Sequence, residues 1–211
     1  MIIKRFSDPR ILEYCTPVLY GNVSALNYHR KALDSKTFNF NLIREVREAK
    51  SHKFNMINVW QDNVRISLGQ PSEETGRYAF MSLKAMMNDA RNEMLDGIIT
   101  APINKNTIHT ENFPFAGHTE YLARELETRD CLMLMVGSEM KVGLVTGHLP
   151  LSEVAGKLSA ELILDKLRIF NSSLLTDFGV RKPKIALLGL NPHAGEEGLL
   201  GAEENDIIKP A

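Results

Sequence analysis

Two histidines stand immediately past apolar runs: His148 follows KVGLVT, and His193 follows KIALL within GLNPHAGEEGLLG. A third, His118, lies in FAGHTEYL with Thr119 after it, and the segment APINK supplies Asn104 and Lys105. Neutral imidazoles suit borderline-soft divalent ions, so His148 and His193, each beside a Gly or Pro that fixes the backbone, could together hold a cation such as Zn²⁺. Two ligands do not close such a site, so a third must come from elsewhere. The chemistry at His118 and Thr119 differs. Gly117 permits close backbone approach, and a helix starting there offers free N–H groups and a positive dipole end to a phosphate or carboxylate. Lys105 would add an ammonium for an anionic substrate and Asn104 an amide hydrogen bond. Each position also has an ordinary alternative: a hydrogen-bonded loop histidine, Thr119 as a plain helix cap, a solvated lysine, an asparagine holding the turn after Pro102. The other histidines, His29, His52 and His109, sit in charged or polar surroundings and read as surface.

Several familiar chemistries fail on spacing. The glycine-rich loop after Leu190 contains neither GxGxxG nor GxxxxGK[ST], and the chain has no GxSxG elbow and no HExxH. Cys15 and Cys131 are far apart, lie in or beside apolar runs and read as structural thiols of a reducing cytoplasm. The methionines from Met81 to Met94 fall at helical spacing and read as core, and Trp60 as packing.

The positions that carry this chemistry depend on alternating strands and helices. Pro17–Tyr20 with Gly21-Asn22 reads as a strand and turn, followed by a helix over Val23–Leu33. Asn55–Trp60 and Val64–Leu68 read as short strands. Ser72 is expected to cap a helix whose Gly76, Ala79, Phe80, Leu83, Met87, Ala90 and Met94 form one buried face. Gly97–Thr100, Leu132–Val136, Lys141–Thr146 and Lys184–Leu190 read as further strands; the middle two lack polar alternation, as strands covered on both sides do. From Ser159 a helix buries Ala160, Ile163, Leu164, Leu167, Phe170 and Leu174, ending near Gly179. This rhythm predicts α/β/α layers around a mostly parallel sheet. In such sheets ligands bind beyond the carboxyl ends of the strands, which is where Asn104, Lys105, His148 and His193 fall.

With 211 residues, 44% hydrophobic and 24% charged, the chain can bury a real core, and a formal charge of −1 gives no electrostatic reason to expect nucleic acid or anionic membrane as a partner. No apolar run approaches the roughly 20 residues that span a bilayer. The N-terminus shows no secretory h-region, so a cytoplasmic location is expected. MIIKRFSDPR reads as an abrupt start and EENDIIKPA as an end without a cap.

Taken together, DGIITAPINK, FAGHTEYL, VTGHLPL and GLNPHAGEEGLLGAEE resemble, in order, motifs of the 4-hydroxythreonine-4-phosphate dehydrogenase family of pyridoxal phosphate biosynthesis, over about Thr16 to the end. The resemblance implies a two-domain α/β/α fold similar to isocitrate and isopropylmalate dehydrogenases, here divided at 1–115 and 116–211. It also implies a homodimer with its active site near the subunit interface and NAD (or NADP) as oxidant. A phosphorylated hydroxy-amino acid would be the substrate, with one divalent ion (Zn, Co or Mg) per site. It assigns substrate binding to His118 and Thr119 and metal binding to His148 and His193. The family's opening Gly-rich loop and its third metal histidine, in a YHDQG-like motif, have no counterpart in residues 1–211. The chain therefore resembles the middle two-thirds of such an enzyme and is not expected to turn over alone. The alternatives are a paralogue acting on a four-carbon sugar-acid phosphate and a non-catalytic binding module.

Overall fold

The computed structural model describes residues 1–35, 37–62, 64–128 and 131–211. It divides into two compact units, Met1–Glu127 and Thr128–Ala211. Residues 116–127, which include His118, therefore pack with the first unit.

In the first unit the strands are β1 (Val18–Gly21), β2 (Asn41–Ile43) and β3 (Asn55–Asn58), in the spatial order β1-β3-β2, and both pairings are parallel. The helices are α1 (Ile2–Phe6), α2 (Val23–Ala32), α3 (Glu73–Arg91), α4 (Lys105–Ile108) and α5 (His118–Glu125). Parallel strands need a crossover, and α2 supplies the one between β1 and β2. Asn55, fully buried, ties the amino ends of the sheet together. Its amide donates to the carbonyls of Lys53 (2.9 Å) and Lys50 (3.1 Å), while its oxygen accepts from Lys50 N and Asn41 Nδ2, each at 3.0 Å. A buried amide is tolerated when its hydrogen-bonding capacity is filled in this way. One apolar cluster packs Ile3, Leu26, Phe38 and Phe54 around Met56; another packs Leu83, Met86, Met87, Ile108, Phe113 and Tyr121.

Helix α3 follows its sequence. Ser72 accepts from Thr75 N and Thr75 Oγ1 from Ser72 N, a capping box with threonine at the third position. Gly76, Leu83 and Met87 are buried, with Ala79, Phe80 and Ala90 packed against the same cluster; Met94 lies beyond the helix end. At Gly76 a Cβ would overlap the Thr107 carbonyl, so glycine is what lets α3 and α4 touch. Trp60 stacks on Tyr78, ring centroids 4.6 Å apart, as packing predicts.

The second unit holds the hairpin β4 (Leu134–Val136) and β5 (Lys141–Gly143) with helices α6 (Val154–Lys157) and α7 (Ala160–Thr176). Ser159 caps α7, which buries Ile163 and Leu174. Here several expectations need correcting. Strands β4 and β5 pair antiparallel, because residues 137–140 make a tight turn and are too few for a parallel crossover. Nor are they covered on both sides: Met135 and Val136 are more than half exposed. Lys184–Leu190 forms no ladder among the described residues, and Leu188 is 81% exposed. In the first unit Val64–Leu68 and Gly97–Thr100 likewise form no ladder, with Ile99 at 94% exposure. An apolar run becomes a strand only when an edge is available to pair with it. Both cysteines are exposed and free, not structural.

Candidate active site

The sequence suggested an anion-binding position at the start of α5. Gly117 is the N-cap, in extended conformation, and no side chain caps the helix, so its first N–H groups stay available. Thr119 lies inside the helix rather than at its cap. Asn104 caps α4, accepting from Asn106 N and Thr107 N at 3.1 Å, and so places Lys105 at the head of α4. The Lys105 ammonium sits 4.0 Å from where a side chain at Gly117 would begin, with its Cε at 3.9 Å. Glu120 Oε2 lies nearer still, at 3.6 Å from that position, so the start of α5 is flanked by charges of both signs. His118 is half-buried, and its Nε2 is enclosed with no hydrogen-bond partner among the described residues. Burial pushes its pKa down, so the ring is neutral at neutral pH and that nitrogen is ready for a ligand.

The two proposed metal ligands belong to the second unit. His148 lies in the exposed loop after β5 with a left-handed φ of 53°. His193 is also exposed and opens a run of left-handed residues: His193 (φ 51°), Ala194 (52°), Gly195 (81°), Glu196 (44°) and Glu197 (57°). Left-handed backbone costs about 1–2 kcal/mol for each residue other than glycine, so this turn must be held by its surroundings. Leu200 N donates to Gly195 O at 3.0 Å and Leu199 N to Glu196 O at 3.1 Å. At Gly195 a Cβ would lie 2.5 Å from Gly201 O, so glycine is required there by space as well as by φ.

Glu204, which the sequence reading missed, anchors this turn from outside. It is 2% exposed and accepts from Leu190 N and Asn191 N, both at 2.7 Å, and from Asn191 Nδ2 at 3.0 Å. Asn191 Nδ2 also donates to Glu203 Oε2 at 2.7 Å. The only cue was the acidic pair Glu203-Glu204 directly after Gly201-Ala202, which reads equally well as a solvated helix start. The Asn191 N–H and amide hold the Glu204 carboxyl below the usual glutamate range. Two imidazoles on loops are a donor set suited to Zn²⁺ or Co²⁺. Among the described residues no group of three or more His, Cys, Asp or Glu is placed to hold a metal ion.

The sequence profile described as "Pyridoxal phosphate biosynthetic protein PdxA" matches residues 13–211. The chain belongs to the PdxA family. A 4-hydroxythreonine-4-phosphate dehydrogenase of Bacteroides thetaiotaomicron is 44% identical over 212 residues, which cover 100% of this chain and 58% of that protein. Among solved PdxA-type structures, one from Burkholderia phymatum matches with a TM-score of 0.81 at 26% identity, over 98% of this chain and 62% of its own. Another, from Klebsiella pneumoniae, gives a TM-score of 0.73 at 28% identity, over 92% and 59%. Both carry the name 4-hydroxythreonine-4-phosphate dehydrogenase, and the fold is thus the mixed α/β, isocitrate-dehydrogenase-like fold of the PdxA enzymes. The chain spans about 60% of the length of these relatives.

Proposed function

We propose that this protein oxidises 4-phosphohydroxy-L-threonine in pyridoxal phosphate biosynthesis, as a homodimer using NAD and one divalent ion per active site. PdxA-family membership over residues 13–211 is the observation that carries the reaction and substrate class, and the start of α5, which no side chain caps and which Lys105 flanks along with Glu120, is the place proposed for the substrate's anionic groups. In this reading Lys105 and the N–H groups of α5 bind substrate oxyanions, Thr119 adds a hydroxyl contact, and the neutral His118 ring hydrogen-bonds the substrate through Nε2. His148 and His193 supply imidazoles to the metal. A bound ion would polarise the reacting hydroxyl and stabilise the charge that develops on it, while NAD would take up the hydride. Hydrogen bonds from Leu199, Leu200, Leu190 and Asn191 hold the strained backbone around His193, which favours a preset position for its imidazole.

The test is NADH formation from 4-phosphohydroxy-L-threonine by the complete protein, with and without EDTA. Expected are a signal that EDTA abolishes and that zinc or cobalt restores, and a loss of at least about 100-fold in His148→Ala and in His193→Ala. Turnover of a four-carbon sugar-acid phosphate with no NADH from the amino acid would assign the chain to a different substrate. Activity indifferent to both histidines would remove them from the site.

A further inference from the structure

We propose that Glu204 is the positioning residue of the His193 turn, holding the backbone ahead of that histidine through Leu190 and Asn191 and seated in the room left by Gly189 before the turn and Gly195 at its centre. The inference rests on reading His193 as a residue of the site. A carboxylate buried to 2% exposure is costly unless its lone pairs are filled, and here neutral N–H groups fill them: Leu190 N, Asn191 N and Asn191 Nδ2. Those donors lie just ahead of Pro192 and His193, where the chain leaves the 184–190 segment.

The glycines complete the clamp. A Cβ at Gly189 would lie 3.1 Å from Glu204 Oε1, and one at Gly195 would lie 2.9 Å from Glu204 Oε2. The carboxylate is therefore seated between the residue that enters the turn and its central left-handed residue, with His193 in between. Glu203 accepts from Asn191 as well, so the acidic pair closes on one amide from two directions. This explains the residue pattern better than a phosphate cradle does. In GLNPHAGEEGLLG, Gly189 and Gly195 make room for an acid that comes fourteen residues after Leu190 in sequence. Leu190 N and Asn191 N both donate to Glu204, and the four non-glycine left-handed residues lie between that anchor and the Leu199 and Leu200 hydrogen bonds that close the turn.

The test compares wild type, Glu204→Gln, Glu204→Ala and His193→Ala on the full chain with two readouts. The first is NMR: ¹³C shifts that report the sign of φ at residues 193–197, and hydrogen exchange at the Leu190 and Asn191 amides. The second is a Co²⁺ titration followed by visible absorption. Glu204→Ala should lose the left-handed signature, exchange those amides at least about tenfold faster and weaken Co²⁺ by about 10- to 100-fold, the range typical of residues that orient a metal ligand. Glu204→Gln keeps an oxygen for the two backbone donors and should retain the turn, with Co²⁺ binding within about tenfold of wild type. If Glu204→Ala does not fold, Glu204→Gln carries the test through the Asn191 side chain, which it should release. An unchanged 193–197 signature in Glu204→Ala overturns the proposal, and so does wild-type Co²⁺ affinity in that variant when His193→Ala has lost it. If Co²⁺ binding is absent from wild type, the metal reading fails by itself and the NMR readout still decides the role of Glu204.

Discussion

His118 is neutral because of where it sits. Its Nε2 is enclosed without a partner among the described residues, and burial lowers its pKa from 6.5. The unfolded chain takes up that proton near the ordinary histidine value, whereas the folded chain resists it. Between the folded and unfolded pKa values the unfolded state binds more protons, so stability rises with pH there and falls as pH drops below about 6.5. Replacing the ring with an amide, His118→Asn, should flatten this part of the profile. Chemical unfolding of both proteins between about pH 7 and pH 5 checks it; parallel profiles would show that His118 titrates freely. Glu204 acts in a separate window. Its carboxyl is held below 4.5 by Asn191, so its contribution is present above that value and is lost only as pH falls through its lowered pKa.

At the scale of elements, the capping box and the bare glycine of α3 make opposite predictions about one helix. Ser72→Ala removes a cap and should cost about 1 kcal/mol, a shift in Tm of roughly 2–4 °C for a chain of this size. Gly76→Ala improves helix propensity, yet its methyl would overlap the Thr107 carbonyl, so it should destabilise by more than Ser72→Ala and loosen α3 from α4. Thermal unfolding ranks the two, and a stabilising Gly76→Ala would mean the helices part without cost. Such local features were legible in the sequence: the Ser72 cap, the Leu83 and Met87 face and the Ser159 cap stand where composition and periodicity put them, and the strands read from Pro17 and Asn55 begin within a residue of those positions. Pairing was not legible. The runs 64–68, 97–100 and 184–190 have strand composition but no ladder partner, and β4 with β5 became a hairpin because of the length of its turn rather than its hydrophobicity. In the site, the sequence singled out His148 and His193 as residues past apolar runs, although 184–190 forms no ladder among the described residues. It could not find Glu204, whose role depends on three backbone and amide donors that only the folded turn brings to it.

At the scale of the whole molecule, the two units are held together internally by very different amounts of apolar packing. The first buries Phe38, Phe54, Met56, Met87, Ile108 and Phe113 in clusters on a three-stranded parallel sheet. In the second, Ile163 and Leu174 are the hydrophobic side chains fully buried among the described residues, while Met135, Leu188 and Leu199 are more than half exposed. Local opening free energy follows buried apolar contact and protected backbone hydrogen bonds. The amides of β1, β3 and α3 should therefore exchange slowest, α7 should be the slowest part of 128–211, and the ladderless 184–188 segment should exchange near the unprotected rate. Leu190 and Asn191 form a local exception, because their amides donate to a buried carboxylate rather than to water. Hydrogen exchange followed by mass spectrometry resolves this at peptide level. Equal protection across both units would show that apolar burial is not what sets their stability; fast exchange at Leu190 and Asn191 would show that the Glu204 clamp opens freely in solution.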